Sequence, residues 1–241
     1  MKAMGFTKFG SPEVLEPMEL ATPQAGEGEV RVRVKAAGVQ PVDCAIRTGF
    51  RPQGVPVSLP HVTGGEFAGI VDQTGSGVTA FAPGDEVLSF RMQYTYAEYV
   101  VVPQEQLVRK PTAMPWEAAG GLSGAGQTAL TALEELAVGP GDTLLINGAA
   151  GGVGTVAVQA ARAKGAAVIG TASPANHDYL RSIGAVPVTY GPGLAERVRA
   201  LAPGGVDAAL DAGGSGRAAC GGGTRSRPEP DRDDGRLRAC R

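Results

Sequence analysis

The sequence predicts an α/β chain: a β-rich domain over residues 1–122, then part of a doubly wound parallel sheet over 123–214, then a low-complexity tail over 215–241. Three observations carry this. Short apolar or alternating runs separated by Gly/Pro turns fill the first half. Strand and helix patterns alternate from about residue 143. From Ser215 onward there is no Val, Ile or Phe and a single Leu, Leu237.

In the first half, Val30–Val34 alternates with period two, as a strand with one wet face does. Phe67–Val71, Glu86–Phe90 and Tyr96–Val102 are further predicted strands, with turns at Gly75-Ser76-Gly77 and Ala82-Pro83-Gly84-Asp85. Together they predict a compact, barrel-like β domain. Trp116–Ala119 and Thr128–Leu136 read as helical, and Gly139-Pro140-Gly141-Asp142 as a turn. Then come strand Thr143–Asn147, helix Thr155–Lys164, strand Ala167–Thr171, helix Asn176–Ile183, strand Val186–Tyr190, helix Leu194–Leu201 and strand Val206–Asp211. That order implies a parallel sheet with right-handed crossovers.

Bulk properties narrow the function class. The chain has 241 residues, 43% hydrophobic and 19% charged, with a net charge of −2, so no basic field points to nucleic acid. Its bias toward Ala, Gly, Val and Arg, with 37 glycines, fits a GC-rich gene. Cys44, Cys220 and Cys240 have no CxxC spacing, which predicts a reducing compartment and no disulfide framework. With no signal-like apolar run after Met1 and no membrane-length apolar stretch, the expected location is cytoplasmic. In the tail, Glu229, Asp231, Asp233 and Asp234 interleave with the arginines, which fits disorder better than a nucleic-acid arm.

Chemistry concentrates at Asn147-Gly148-Ala149-Ala150-Gly151-Gly152-Val153-Gly154, between an apolar strand and a helix, with the next strand starting at Ala167. Small residues are required there. The strand-to-helix turn is tight, the backbone must approach a pyrophosphate, and the helix must pack near the strand. Unpaired amides and the dipole at the helix N-terminus then face the phosphates, the arrangement of a Rossmann nicotinamide-dinucleotide site. An NAD site commonly has an acidic residue at the end of the second strand for the ribose hydroxyls. Here that stretch is Gly170-Thr171-Ala172-Ser173-Pro174-Ala175-Asn176-His177, and the first acid is Asp178, inside the next helix. The expected cofactor is therefore NADP, with Ser173, Asn176 and His177 as donors and Arg181 as a charge for the 2′-phosphate. Asn176 fits equally as a helix N-cap.

Taken together, residues 1–214 resemble the medium-chain dehydrogenase/reductase superfamily, most of all its zinc-free, zeta-crystallin-like quinone oxidoreductase branch. The resemblance rests on several segments in matching order and spacing. They are Ala37-Gly38-Val39-Gln40-Pro41-Val42-Asp43 with Ile46-Arg47-Thr48-Gly49; Gly64-Gly65-Glu66-Phe67-Ala68-Gly69; Phe81–Val87; Gly126-Gln127-Thr128-Ala129; and Gly148–Gly154. It implies a GroES-like domain before the Rossmann sheet and NADPH-dependent hydride transfer to a quinone or activated enone. Gln40 stands where zinc-dependent relatives have Cys, and Gly64-Gly65-Glu66 where they have Gly-His-Glu, so no metal ligand set is expected. His61 is expected at a surface or cleft edge, and Cys44 as a small packing residue. By resemblance, Gln40 hydrogen-bonds the substrate carbonyl, Phe50 stands near a family Tyr or walls the cleft, Thr128 contacts the nicotinamide or caps a helix, and Tyr190 helps hold the 2′-phosphate end or packs at a strand end.

The match stops near Gly213–Ser215, where composition changes as it does across a shift of reading frame. Relatives continue past Asp211 with further strands. The expectation is therefore a 3-2-1-4 half sheet whose fourth strand is an open edge, with the family's dimer surface missing. The alternative reading is a truncated, catalytically impaired nucleotide-binding or interaction protein; the partner expected of the enzyme is a small carbonyl or quinone substrate.

Overall fold

A computed structural model describes residues 1–91 and 93–213 and the backbone of Gly222–Arg225. The chain divides into two compact units, Met1–Gly124 and Ala125–Arg241.

The first unit holds two antiparallel sheets. Strands β1 (Lys2–Phe6), β2 (Glu16–Glu19) and β4 (His61–Val62) form the smaller, in the order β2-β1-β4. The larger runs β7 (Tyr99–Pro103), β3 (Glu29–Ala37), β5 (Glu66–Thr74), β6 (Glu86–Phe90), β8 (Leu107–Arg109). Alternation in β3 works as predicted: Val30 and Val32 are fully buried and meet Phe67, Val71, Val87, Val100 and Val102 in one cluster. Pairing of β3 with β5 slips between Arg31 and Val32 and between Val34 and Ala36, which bends the sheet into a curled, GroES-like form. Helix α1 (Pro41–Arg47), absent from the sequence reading, turns Asp43, Ile46 and Arg47 inward at helical spacing and Cys44 outward. Cys44 is thus exposed and does not pack in a core. Helix α2 (Trp116–Gly120) lies where the sequence predicts one.

The second unit is a partial Rossmann fold. Its elements are α3 (Ser123–Glu135, which begins just before the unit boundary), β9 (Thr143–Asn147), α4 (Gly152–Ala163), β10 (Ala167–Thr171), α5 (His177–Ser182), β11 (Val186–Val188), α6 (Leu194–Leu201) and β12 (Ala208–Asp211). Four of its strands run parallel in the order β11-β10-β9-β12, as the 3-2-1-4 expectation requires. Both faces are covered. Leu144, Ile146 and Leu210 pack with Ala157, Val158, Ala161 and Leu180, while Ile169, Val188 and Val198 pack on the other side. Each fully buried Leu or Ile here contributes about 1.5–3 kcal/mol.

One expectation fails. Strand β12 is not an open edge, because β13 (Gly222–Arg225) pairs antiparallel to it, Ala208 opposite Arg225 and Asp211 opposite Gly222. An antiparallel neighbour needs no crossover, and backbone groups alone satisfy the pairing, so Gly-Gly-Thr-Arg carries no side-chain signal for it. The rest of the tail reading lies outside the described residues. Among the described residues, no helix is long and apolar enough to cross a membrane.

Candidate functional site

In the second unit the predicted phosphate loop joins β9 to α4. Gly148 has φ +70°, which suits glycine, and its neighbour across the turn is Gly213, 2.5 Å from where a Cβ would stand. Gly151 is the N-cap of α4 and offers no side chain to the first turn. Three bonds fix the loop from below. The Thr171 hydroxyl accepts from the Gly148 amide at 3.0 Å and donates to Asn147 Oδ1 at 2.6 Å, and the Ala149 amide donates to Thr171 O at 3.0 Å. The Gly151 amide turns back to Gly148 O at 3.0 Å. The amides of Gly152, Val153 and Gly154, the first turn of α4, have no backbone acceptor within the loop. Gly154 packs its Cα against the loop: an added Cβ would lie 2.7 Å from Ala149 Cα. A cradle that only glycine fits, topped by free amides, fits a dinucleotide pyrophosphate.

Thr171 is 1% exposed and was not singled out from the sequence; its signal was its place at the end of the second strand. Thr171→Val leaves the Gly148 amide and Asn147 Oδ1 without their partner. The expected cost is about 1–3 kcal/mol, read as a lower urea midpoint at unchanged slope.

Past the end of β10, Ser173 is the N-cap of a 3₁₀ turn, Pro174–Asn176. Asn176 stands at the N-cap position of α5, yet its side chain donates to Ser173 Oγ at 3.3 Å and accepts no bond from the helix amides. The His177 ring lies 3.3 Å from Ala172 O. The three polar residues proposed for a 2′-phosphate are thus gathered at one strand end. Arg181 is paired with Asp178 at 2.6 Å, so its charge is already engaged. Tyr190 is 57% exposed on the loop after β11, so it does not pack at the strand end. That loop is held by Arg197, whose guanidinium donates to Thr189 O at 2.8 Å and Pro192 O at 2.9 Å.

Thr128 lies well inside α3, because that helix begins at Ser123; it is exposed and does not cap the helix start. Two glycines in Ser-Gly-Ala-Gly-Gln weaken helix propensity and hid those first turns from the sequence reading.

In the first unit, Gln40 is the N-cap of α1. Its backbone amide donates to Asp43 Oδ2 at 2.8 Å, and its side-chain Nε2 donates to Glu66 Oε1. Glu66 is fully buried at the start of β5, and its other oxygen accepts from the Gly124 amide at 2.7 Å. Asp43, 5% exposed, also accepts from the Tyr96 hydroxyl at 3.0 Å. Burial first, then the Asp43 charge, pushes the Tyr96 hydroxyl well above the usual tyrosine range, so Tyr96 acts as a fixed donor. Asp43, Glu66 and Tyr96 were not among the residues singled out. Phe50 follows α1 and is 43% exposed.

His61 is not at a surface. It is 1% exposed, because the β1–β4 register sets it opposite Phe6, and it packs between the Phe6 and Tyr94 rings at 5.2 and 5.8 Å. Burial pushes its pKa below the ordinary value. Among the described residues, no three His, Cys, Asp or Glu side chains converge in a group able to hold a metal.

These geometries agree with what the chain is similar to. Residues 26–112 match the alcohol dehydrogenase GroES-like domain family, and residues 152–219 match the zinc-binding dehydrogenase family. The chain is 40% identical over 171 residues to polyketide synthase GfsB of Streptomyces halstedii, covering 70% of this chain and 3% of that one. It is 36% identical over 175 residues to quinone oxidoreductase of Sus scrofa, covering 71% of this chain and 53% of that one. The crystal structure of an NAD-dependent alcohol dehydrogenase superposes with a TM-score of 0.80 at 36% identity, over 86% of this chain and 69% of that one. The chain thus spans about half the length of the curated quinone oxidoreductase it matches. With both family models placed on the units that show their folds, the chain belongs to the medium-chain dehydrogenase/reductase superfamily.

Proposed function

We propose that this chain binds NADP(H) at Gly148–Gly154 and takes part in zinc-independent reduction of a quinone or activated enone. The observation that carries the reading is the loop itself, glycine where a Cβ would strike backbone and free amides at the head of α4. When bound, the cofactor supplies a hydride to an electron-poor acceptor. The protein's task is then orientation. The α4 amides hold the pyrophosphate, and Thr171 keeps the loop in shape from beneath. Ser173, Asn176 and His177 form a polar strand end without a carboxylate, which favours a 2′-phosphate over a free ribose hydroxyl. Gln40 offers an amide to the substrate oxygen. Zinc independence is supported by the donor set, because Gln40 and Gly65 stand where zinc-dependent relatives carry ligands.

Consumption of NADPH in the presence of a simple quinone, followed by absorbance, tests the reaction. Turnover supports it; folded protein that binds NADPH but turns over neither a quinone nor an enone favours a nucleotide-binding role without catalysis. That second reading draws on one observation: the parallel sheet among the described residues has the four strands of the adenosine half. Ser173→Asp tests the cofactor choice. It places a carboxylate at the strand end and is expected to shift preference from NADPH toward NADH by on the order of tenfold, through like-charge repulsion. An unchanged Kd ratio would remove Ser173 from the 2′-phosphate site.

A further inference from the structure

We infer that Glu66 is a positioning residue for Gln40: its buried carboxyl group holds the Gln40 amide nitrogen and thereby sets which atoms Gln40 offers to a substrate. The inference rests on the reading that Gln40 meets the substrate oxygen, and it adds a residue that does so only through Gln40.

Three observations support it. Glu66 is fully buried, and both carboxyl oxygens accept hydrogen bonds, one from Gln40 Nε2 and one from the Gly124 amide at 2.7 Å. Among the described residues, no Lys or Arg lies within salt-bridge distance of it, so these two donors provide its hydrogen bonding. Nor has the carboxyl group room to swing. Gly38 lies against it, and a Cβ there would fall 2.7 Å from Glu66 Cδ. On the other side a Cβ on Gly124 would stand 3.5 Å from both Gln40 Nε2 and Glu66 Oε2, in ordinary van der Waals contact.

The chemistry follows from the donor inventory. A backbone amide can only donate, so Glu66 Oε2 is committed to Gly124. The remaining oxygen then selects the NH₂ end of Gln40 over its carbonyl end. While both carboxyl oxygens accept, the amide cannot flip without setting two oxygens against each other. Gln40 is left with one Nε2 hydrogen, suited to an oxygen acceptor such as a quinone or enone carbonyl. The Asp43 carboxylate, which accepts the Gln40 backbone amide, holds the same residue from its main-chain side.

The test uses the full 241-residue chain, labelled with ¹⁵N. The side-chain amide of Gln40 is assigned as the resonance pair missing from Gln40→Leu. One of its protons is expected downfield and slow to exchange, and Glu66→Gln is expected to abolish that signature. With Oε1 of the new side chain bound to Gly124, its NH₂ must face Gln40 and turn that amide round. In turnover, Glu66→Gln is expected to lower kcat/KM on the order of 10–100-fold in the parent. In the Gln40→Leu background it should have little further effect, because the two residues act as one unit. An ordinary, fast-exchanging Gln40 amide in the parent protein, which needs no Glu66 variant to fold, would overturn the inference while leaving the proposed reaction intact. So would a Glu66→Gln effect that is the same with and without Gln40. If no variant or parent turns over substrate while the amide signature appears and is lost as described, the positioning stands and the proposed reaction falls.

Discussion

The Gly154→Val chain is expected to bind dinucleotide on the order of 100-fold more weakly than the parent, or not at all. Gly154 sits in the first turn of α4, pressed against the loop it faces; a Cβ would lie 2.7 Å from Ala149 Cα and 2.8 Å from its carbonyl carbon. Those are backbone atoms, held in turn by the Ala149 amide bond to Thr171 O, so neither side yields cheaply. The loop must move away from the helix, carrying the α4 amides off the pyrophosphate. Each charge-assisted bond lost costs about 1.5–3 kcal/mol, and 1.4 kcal/mol is tenfold in Kd. Overpacking adds about 1–3 kcal/mol of destabilisation, so a thermal melt accompanies the titration. Gly139→Ala is the control. It lies in the same unit, but nothing lies within 4 Å of the added methyl, and its binding should match the parent's. Equal affinity for the Gly154→Val chain would remove the loop from the binding site.

Lowering the pH below about 6.5 is expected to destabilise the protein through His61. Its ring is 1% exposed between two aromatic rings, and burial is the main cause of its lowered pKa, opposed only by the Ser58 backbone. The sign follows directly. The unfolded chain takes up the proton near the ordinary value of 6.5, and the folded chain only at lower pH. Between the two values the unfolded state binds more protons, so stability falls as pH falls, by up to about 1.4 kcal/mol per pH unit for one group. Urea melts from pH 7.5 to 5 measure the slope. The His61→Leu chain should lose that part of it, and an identical slope in both proteins would assign acid sensitivity to other groups.

Much of the fold was legible because its periodicities are clean. Glu86–Phe90, Thr143–Asn147, Ala167–Thr171 and Leu194–Leu201 run over the predicted residues, each an apolar or amphipathic run. The strand order followed from connection rules, with no side-chain detail needed. What escaped was set by tertiary contact. Strand β4 is two residues long and exists by pairing with β1, so the burial of His61 has no local signal. Helix α1 opens at Pro41 inside a segment read for its motif and not its spacing, which is why Cys44 was expected inside. The loop glycines were readable because backbone geometry demands them. The Gln40–Glu66–Gly124 contact was not, since it joins residues 26 and 58 positions from Glu66.

The account turns on the Gly148–Gly154 site, and calorimetric titration of the 241-residue chain with NADPH, with NADH as comparator, tests it most directly. Saturable one-to-one binding, tighter for NADPH than for NADH, is the predicted result. Folded protein that binds neither would contradict the central claim, and tighter binding of NADH would leave the site standing while contradicting the assignment of its strand end to a 2′-phosphate.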